Sequence, residues 1–229
     1  MAKHIGIVAC SAEGAALCYR TICVEGAERF GAYGHPEVSL HSTSLATYVE
    51  RINADDWHGV GDLMLESAAK LARIGADFLI CPDNTIHHAF AYVEPRSPLP
   101  WLHIARVIAE EATVRGYRRL GLLGTHWLVK SEVYPVALED RGIECLRPSA
   151  EDRLAVGRII MDELVNSRFL PESTSRLVGI IDKLKDQGAE AMILGCTELP
   201  FVLNDENSPL PTLDSTRLLA RAALRAAEM

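Results

Sequence analysis

The sequence predicts an α/β fold made of two pseudo-symmetric lobes, each with its own parallel sheet. Short apolar runs typical of buried strands alternate with amphipathic runs typical of helices, and this alternation indicates a layered parallel sheet. The chain also repeats itself. Asp83 and Cys196 each follow a buried apolar run, and each is preceded at the same distance by a Gly-Ala pair and, further back, by a Lys-Leu pair. We interpret this match as an internal duplication that gives each lobe one such residue.

The limits of the lobes follow from a proline-rich stretch. The N-terminal lobe is predicted to occupy residues 1–98 with 212–229, and the C-terminal lobe residues 99–211. The boundary falls in the stretch 95–100, because prolines interrupt helices and strands. The C-terminal helix, which starts near Asp214, is then expected to pack back on the first lobe.

The elements of each lobe are predicted from the same patterns. In the first lobe we expect strands at 4–9, 38–42 and 77–80 and helices at 15–30 and 57–74. In the second lobe we expect strands at 119–125 and 190–194 and helices at 102–115, 149–166 and 173–187. Gly75 is a favourable end for its helix, and Ser149 with Asp152 is typical of a capping box. The loop after the first strand lacks G-x-G-x-x-G, so the sequence offers no cradle for a dinucleotide.

Composition excludes several classes of partner. The net charge of −8 argues against nucleic acid, since binding to phosphates needs a basic face. No run approaches the roughly 18 apolar residues of a membrane span, and the N-terminus lacks a signal-peptide pattern. The six cysteines show no metal-ligand spacing and are interpreted as reduced thiols. We therefore expect a cytoplasmic protein with no nucleic-acid or membrane partner.

Small polar residues follow the predicted strands, at the edge where α/β sheets bind ligands. Asp83 and Cys196 are the catalytic candidates. The residues expected to bind substrate lie in the same kind of loop: Ser11, Asn84, Thr85, Thr125 and Thr197. Structural interpretations are open for each. Asp83 could be the N-cap of the helix that follows it, Cys196 could be one more buried thiol, and the hydroxyl residues could be ordinary turn or cap residues.

The sequence predicts a site without cofactor or metal. No lysine lies at a strand end beside a phosphate-cradling glycine loop, so we expect neither pyridoxal phosphate nor a nucleotide. His87 and His88 are adjacent and would point apart on a helix, which makes a poor metal site. His103 and His126 are interpreted as structural residues.

Six motifs are weak singly but specific in their order and spacing. They are Asn84-Thr85-Ile86-His87, Leu102-His103-Ile104-Ala105, Leu122-Leu123-Gly124-Thr125, Asp162-Glu163-Leu164, Gly195-Cys196-Thr197-Glu198 and Asp214-Ser215-Thr216-Arg217. Through them the chain resembles the cofactor-independent aspartate/glutamate racemase superfamily over essentially its whole length. The resemblance implies two pseudo-symmetric α/β lobes with one active site in the cleft between them. It also implies that Asp83 and Cys196 are the acid/base pair, because they precede Asn-Thr and Thr-Glu.

The chain departs from that family at three places. The family usually has cysteine at both acid/base positions, whereas this chain has Asp83 at the first; Cys81, two residues earlier on a strand, would not replace it. The family's Gly-Gly-Met loop is here Ala9-Cys10-Ser11. Close aspartate and glutamate racemases carry a carboxylate where this chain has Thr43-Ser44-Leu45.

The resemblance also implies a basic group for a distal substrate carboxylate near Arg168. The alternative interpretation of Arg168 is an ordinary solvated charge.

Inverting an α-carbon without a cofactor needs a base on one face and an acid on the other. A thiol needs modest tuning for either role near neutral pH, whereas an aspartate of ordinary pKa, about 3.9, is a carboxylate there and a weak base. We therefore expect a homodimeric amino-acid racemase or epimerase, independent of pyridoxal phosphate, with Cys196 and Asp83 on opposite faces. The expected substrate is an amino acid or small carboxylic acid, and we favour an acidic amino acid.

Two alternatives stay open. One is a single-cysteine decarboxylase or isomerase of the same superfamily, in which Asp83 only positions other groups. The other is a catalytically inactive protein that binds a small ligand.

Overall fold

Strands and helices alternate along the computed structural model, which describes residues 2–228. The strands are Ile5–Ala9 (β1), Val38–Ser42 (β2), Phe78–Ile80 (β3), Trp101–Leu102 (β4), Arg119–Gly124 (β5), Glu144–Leu146 (β6), Ala191–Gly195 (β7) and Thr212–Asp214 (β8). The α-helices are Ala12–Glu25 (α1), Ala27–Phe30 (α2), Leu45–Asn53 (α3), Trp57–Arg73 (α4), Phe90–Val93 (α5), Ile104–Arg115 (α6), His126–Lys130 (α7), Val133–Glu139 (α8), Ala150–Arg158 (α9), Pro171–Asp186 (α10) and Ser215–Glu228 (α11). Short 3₁₀ turns cover Thr85–Ala89, Glu94–Arg96, Leu164–Asn166 and Leu199–Phe201, and a π-helical turn covers Ile159–Glu163.

The strands form two sheets of four, and every strand pair is parallel. One sheet has the order β2-β1-β3-β4 and the other β6-β5-β7-β8. The first and third strands of each half therefore lie side by side at the centre, and the second lies at an edge. This identical order confirms the predicted α/β class with two pseudo-symmetric halves, and it agrees with the duplication inferred from the sequence.

The chain divides into two compact units. One comprises Met1–Val107 with Thr216–Met229, and the other comprises Ile108–Ser215. The division falls inside α6 and at the start of α11. The lobe limits expected from the proline-rich stretch, at 98/99 and 211/212, remain a prediction.

The first unit is built around β1, whose five residues are all buried. The C-terminal helix α11 packs here, as the sequence predicts. Arg221 of α11 forms a two-bond ion pair with Glu25 of α1, and the backbone carbonyl of Ala227 accepts a hydrogen bond from the N–H of Lys3. The end of the chain thus closes onto its beginning.

The second unit buries an apolar cluster formed by α9, the π-helical turn, α10 and β7. The predicted helix 149–166 is one continuous segment that passes from α-helix through the π turn into a 3₁₀ turn. Ser149 is the N-cap of this segment as predicted, since its Oγ accepts from the N–H of Asp152 at 3.2 Å. The Ser149 hydroxyl also donates to Oδ2 of Asp152 at 3.0 Å, a contact between side chains that differs from the second bond of a capping box. Lys183 of α10 also binds both oxygens of Asp152, which ties the two helices together.

Two glycines end equivalent helices in the two units. Gly75 follows α4 with φ of +92°, and Gly188 follows α10 with φ of +94°. Both lie in the left-handed region, where a side chain would be strained. The predicted helix end at Gly75 is therefore confirmed, and Gly188 is its counterpart in the second unit.

Several elements differ from the prediction. The expected helix 15–30 is two helices, α1 and α2, separated at Gly26, where a Cβ would lie 2.7 Å from the carbonyl oxygen of Ile22. The strand β4 has two residues, too few to give an alternating pattern, and α3 lies in a stretch without a predicted helix. Within residues 2–228, no helix is long and apolar enough to cross a membrane.

Candidate active site

Asp83 lies in the loop that follows β3, and its side chain reaches the neighbouring loop between β1 and α1. It is 9% exposed. Oδ2 accepts from the backbone N–H of Cys10 and Oδ1 from that of Ser11, each at 3.0 Å. Because β1 and β3 are adjacent in the sheet, the two strand ends bring these groups together. The contact therefore joins segments that are distant in the sequence.

The two N–H groups complement an ionised carboxylate. An ionised carboxylate only accepts hydrogen bonds, and each of its oxygens here receives one donor. These donors stand at the start of α1, where the helix dipole favours negative charge. The interpretation of Asp83 as N-cap of the following helix is wrong, because the 3₁₀ turn there begins after Asn84, and the side chain that reaches a helix start reaches α1 instead.

Two further groups hold the backbone carbonyl of Asp83. The Nδ1 of His87 lies 2.9 Å from this oxygen, and the thiol of Cys81 lies 3.8 Å from it. A carbonyl oxygen can only accept, so Nδ1 of His87 carries the hydrogen. Both the side chain and the main chain of Asp83 are therefore fixed by neighbours in the same unit.

Cys81 is unsuited to replace the missing family thiol. Its side chain is fully buried. Burial, followed by the negative charge of Asp83, raises the pKa of the Cys81 thiol well above its ordinary value. A thiol that stays protonated is a poor base, which agrees with the interpretation that Asp83 itself occupies the acid/base position.

His87 is a neutral imidazole inside the first unit. Burial lowers its pKa to about 4, opposed by the hydrogen bond to the Asp83 carbonyl. Its Nε2 has no hydrogen-bond partner within residues 2–228. The ring packs edge-on against His103, whose pKa burial also lowers strongly. Nδ1 of His103 accepts from the N–H of Ala105, so this histidine starts α6 as a structural residue.

Cys196 directly follows β7 and is 7% exposed. The preceding residue, Gly195, has no room for a side chain, since a Cβ there would lie 2.9 Å from the backbone oxygen of Leu123. The Sγ of Cys196 lies 2.8 Å from Oε2 of Glu198. The hydroxyl of Thr197 donates to the same Oε2, also at 2.8 Å. This loop therefore carries its own compact hydrogen-bonded cluster.

Ser11 and Thr125 occupy equivalent places in the two units. Each is the N-cap of the helix that follows the first strand of its sheet. Ser11 Oγ accepts from the N–H of Gly14 at 3.3 Å, and Thr125 Oγ1 accepts from that of Leu128 at 3.2 Å. Capping is therefore one role of each hydroxyl, and substrate binding by them stays a prediction.

The structure brings the predicted residues together within each unit. In the first, Asn84 and Thr85 directly follow Asp83, and Ser11 lies in the β1–α1 loop that the Asp83 carboxylate contacts. In the second, β5 and β7 pair up to Gly124 and Gly195, so Thr125 and Cys196 begin adjacent loops. Arg168 lies on the exposed loop after the 3₁₀ turn.

Sequence reasoning missed three participants. Glu198 holds the Cys196 thiol, His87 holds the Asp83 carbonyl, and the backbone N–H of Cys10 binds the Asp83 carboxylate. Glu198 and His87 stand inside the quoted motifs, so their positions gave a signal, whereas a backbone donor leaves none. In the part of the chain that the structure describes, no cluster of three or more His, Cys, Asp or Glu side chains could hold a metal ion.

Comparison with known proteins agrees with this architecture. Residues 10–223 match the model of the family described as Asp/Glu/Hydantoin racemase. The chain is 25% identical to the broad specificity amino-acid racemase RacX of Bacillus subtilis (strain 168) over 83% of this chain and 81% of that protein. A structure from Yersinia pestis, provisionally assigned as an Asp/Glu racemase, superposes with a TM-score of 0.91 at 30% identity and covers 99% of this chain and 100% of its own. An aspartate racemase homologue from Pyrococcus horikoshii OT3 gives 0.86 at 28% identity, with both chains fully covered. The chain therefore belongs to the Asp/Glu/Hydantoin racemase family and is, by that membership, an isomerase that acts on amino acids.

Proposed function

We propose that the protein is a cofactor-independent amino-acid racemase or epimerase in which Cys196 and Asp83 transfer protons on opposite faces of the α-carbon. One observation carries the proposal. After β3 of one sheet and β7 of the other, which hold the same place in the same strand order, lie a carboxylate and a thiol, and each is fixed by hydrogen bonds. Two such groups are the minimum that inversion without a cofactor requires.

The chemistry follows from the state of each group. The Asp83 carboxylate removes the α-proton, and the Cys196 thiol donates a proton from the other face. Between these steps negative charge develops on the substrate, and donors fixed in advance stabilise it best. The residues proposed to supply such donors or to bind the substrate are Ser11, Asn84, Thr85, Thr125 and Thr197.

The proposed substrate is an amino acid or small carboxylic acid, with acidic amino acids tested first. One similar protein is a broad specificity amino-acid racemase, and another is an aspartate racemase homologue. A panel of amino acids is therefore a better test than a single compound. A cytoplasmic location and a homodimer are part of the proposal.

The panel experiment measures exchange at the α-carbon. Purified protein is incubated in D₂O with single amino acids, and deuterium at the α-carbon, optical rotation and carbon dioxide are followed. We expect exchange and loss of optical activity with at least one amino acid, without added pyridoxal phosphate. If no amino acid exchanges its α-proton, the proposal is wrong.

A second function is favoured by the contacts of Asp83. Its carboxylate is already engaged by the N–H groups of Cys10 and Ser11, so it could serve only to hold that loop. Cys196 would then deliver one proton, as in a decarboxylase or a single-thiol isomerase of this superfamily. Release of carbon dioxide, or isomerisation without α-exchange, identifies this case. An inactive binding protein would give neither.

A further inference from the structure

A cavity of about 530 Å³ opens in the second unit, between the α9 segment and the start of α10. Its volume falls within the range of roughly 300–1,000 Å³ that is typical of small-molecule sites. Five of its lining residues are charged: Arg158, Asp162, Glu163, Glu172 and Arg176. The proposed proton transfer uses none of them. The motif Asp162-Glu163-Leu164, which has no role in that function, contributes two residues to the cavity.

The charged side chains of the α10 wall are not paired with each other. Glu172 and Arg176 lie four residues apart on α10, in the order that favours an ion pair on a helix. The same residue types in the same order do form an ion pair on α6, where Glu111 and Arg115 lie 2.7 Å apart. Within residues 2–228, however, neither Glu172 nor Arg176 forms an ion pair. Both side chains are therefore available to a ligand.

The same holds for the opposite wall of the cavity. Arg158 and Asp162 are also four residues apart, and neither forms an ion pair in the part of the chain that the structure describes. The π-helical turn begins directly after Arg158, and because its hydrogen bonds join residues five apart, Asp162 is displaced from the row of Arg158. Lys183 binds both oxygens of Asp152 and is the main cause that lowers the pKa of this carboxyl, to which the charge of Arg176 adds. The guanidinium donors of both arginines thus stay available.

The balance of charge in the cavity indicates what kind of molecule fits. Guanidinium groups bind carboxylates through paired N–H donors, and carboxylates attract an ammonium group. A ligand with a carboxylate alone would meet three negative side chains, and one with an ammonium group alone would meet two arginines. A zwitterion satisfies both sets. Buried Ala155 and Ile159 supply an apolar part of the lining, which favours contact with an apolar group.

We propose that this cavity binds an α-amino acid with an apolar side chain. Arg158 and Arg176 bind its carboxylate, the acidic side chains bind its ammonium group, and Ala155 with Ile159 contacts its side chain. The site is additional to the proposed site of proton transfer, and no step of racemisation passes through it. Racemase activity is therefore not needed to test it.

The test follows binding at the cavity itself. Backbone amide signals of isotopically labelled protein are recorded by NMR while L-leucine is added, and we expect saturable shifts in residues 155–163 and 171–176. Two matched probes each lack one charge. The first, 4-methylpentanoate, is leucine without its ammonium group, and the second, 3-methylbutylamine, is leucine without its carboxylate. Each should bind at least about tenfold more weakly than L-leucine, because one set of charge-assisted hydrogen bonds is lost.

Three arginine variants locate the carboxylate. Arg158→Gln and Arg176→Gln each remove one guanidinium group from the cavity, and each should weaken the binding of L-leucine about tenfold. Arg141→Gln is the matched control, because Arg141 is an exposed arginine of the same unit that does not line the cavity. Its affinity for L-leucine should equal that of the wild type. All three arginines are exposed, so thermal unfolding should be unchanged in each variant.

Several results would overturn the inference. They are the absence of saturable shifts in residues 155–163 and 171–176, equal binding of a probe that lacks one charge, wild-type affinity in Arg158→Gln or Arg176→Gln, and a matching loss in Arg141→Gln. The outcome is separable from that of the proposed function. If L-leucine binds here and no amino acid exchanges its α-proton, only the proposed function fails. If racemisation is observed without binding at this cavity, only the additional site is wrong.

Discussion

Asp83 and Cys196 occupy matched positions of a duplicated fold, but their surroundings differ. Asp83 is fixed by backbone donors from a distant part of the sequence, through both oxygens of its side chain. Cys196 is fixed by Glu198 of its own loop. Duplication has thus repeated the positions of the strand ends, while the chemistry of each end is determined by the side chains that pack around it.

The difference makes the two ends unequal as acids and bases. The donors around Asp83 suit the carboxylate, which can accept a proton. The acceptor beside Cys196 suits the thiol, which can donate one. Under the proposed function, these contacts favour proton removal by Asp83 and proton donation by Cys196, and the reverse step needs both groups in their less favoured forms.

Removing the sulfur should have the largest effect. Cys196→Ser keeps the shape of the side chain but replaces the thiol with a hydroxyl, which is a far weaker acid. We expect turnover to fall by at least about 10³-fold, with thermal unfolding little changed. The measurement is α-proton exchange with the substrate found in the panel.

Cys145→Ser is the matched control for this loss. Cys145 is half-buried in the same unit, and burial raises the pKa of its thiol to about 11. It should keep the turnover of the wild type. Appreciable turnover in Cys196→Ser would contradict the proposal that Cys196 is one of the two acid/base groups.

His87, which holds the backbone carbonyl of Asp83, should make the stability of the folded protein sensitive to acid. His87 has a pKa of about 4 in the folded protein and about 6.5 when unfolded. Between these values the unfolded chain binds more protons, so the contribution of the neutral ring is complete above pH 6.5 and is lost as the pH falls toward 4. The loss amounts to roughly 3 kcal/mol. His87→Asn keeps a donor near the position of Nδ1 but does not titrate.

Chemical unfolding at a series of pH values measures this effect. His87→Asn should lose stability at neutral pH through the smaller side chain, yet show a flatter decline between pH 6.5 and 4. The adjacent His88 is exposed, so His88→Asn should decline as steeply as the wild type. Equal slopes for all three proteins would mean that His87 is not held neutral by burial.

The architecture was largely predictable because its signals are local or repeated. The matched stretches around Asp83 and Cys196 predicted two equivalent sheets, and Gly75 marked a helix end. The N-cap at Ser149 was predicted correctly because its bond to the N–H of Asp152 joins neighbouring positions of a single helical turn. The strand β4 was not predicted, because two residues are too few to show the alternation of apolar and polar residues that indicates a strand.

The site was predictable in its positions and less so in its contacts. Both catalytic candidates were located from strand ends and motifs. The contact between Asp83 and the N–H of Cys10 joins distant segments through backbone atoms, which carry no sequence signal. Glu198 was overlooked because the sequence does not show that its side chain is buried against the Cys196 thiol.

The most direct test of the inequality between Asp83 and Cys196 places a thiol at both positions. Deuterium incorporation at the α-carbon is measured from each pure enantiomer, at matched saturation, in the wild type and in Asp83→Cys. We expect markedly unequal exchange in the wild type, about tenfold for each unit of pKa mismatch, and nearly equal exchange in Asp83→Cys. The equilibrium constant between the free enantiomers stays at unity. A difference in their exchange rates at saturation must therefore be balanced by a difference in the affinity of the enzyme for each enantiomer. Equal exchange in the wild type, or an unchanged ratio in Asp83→Cys, would contradict the account.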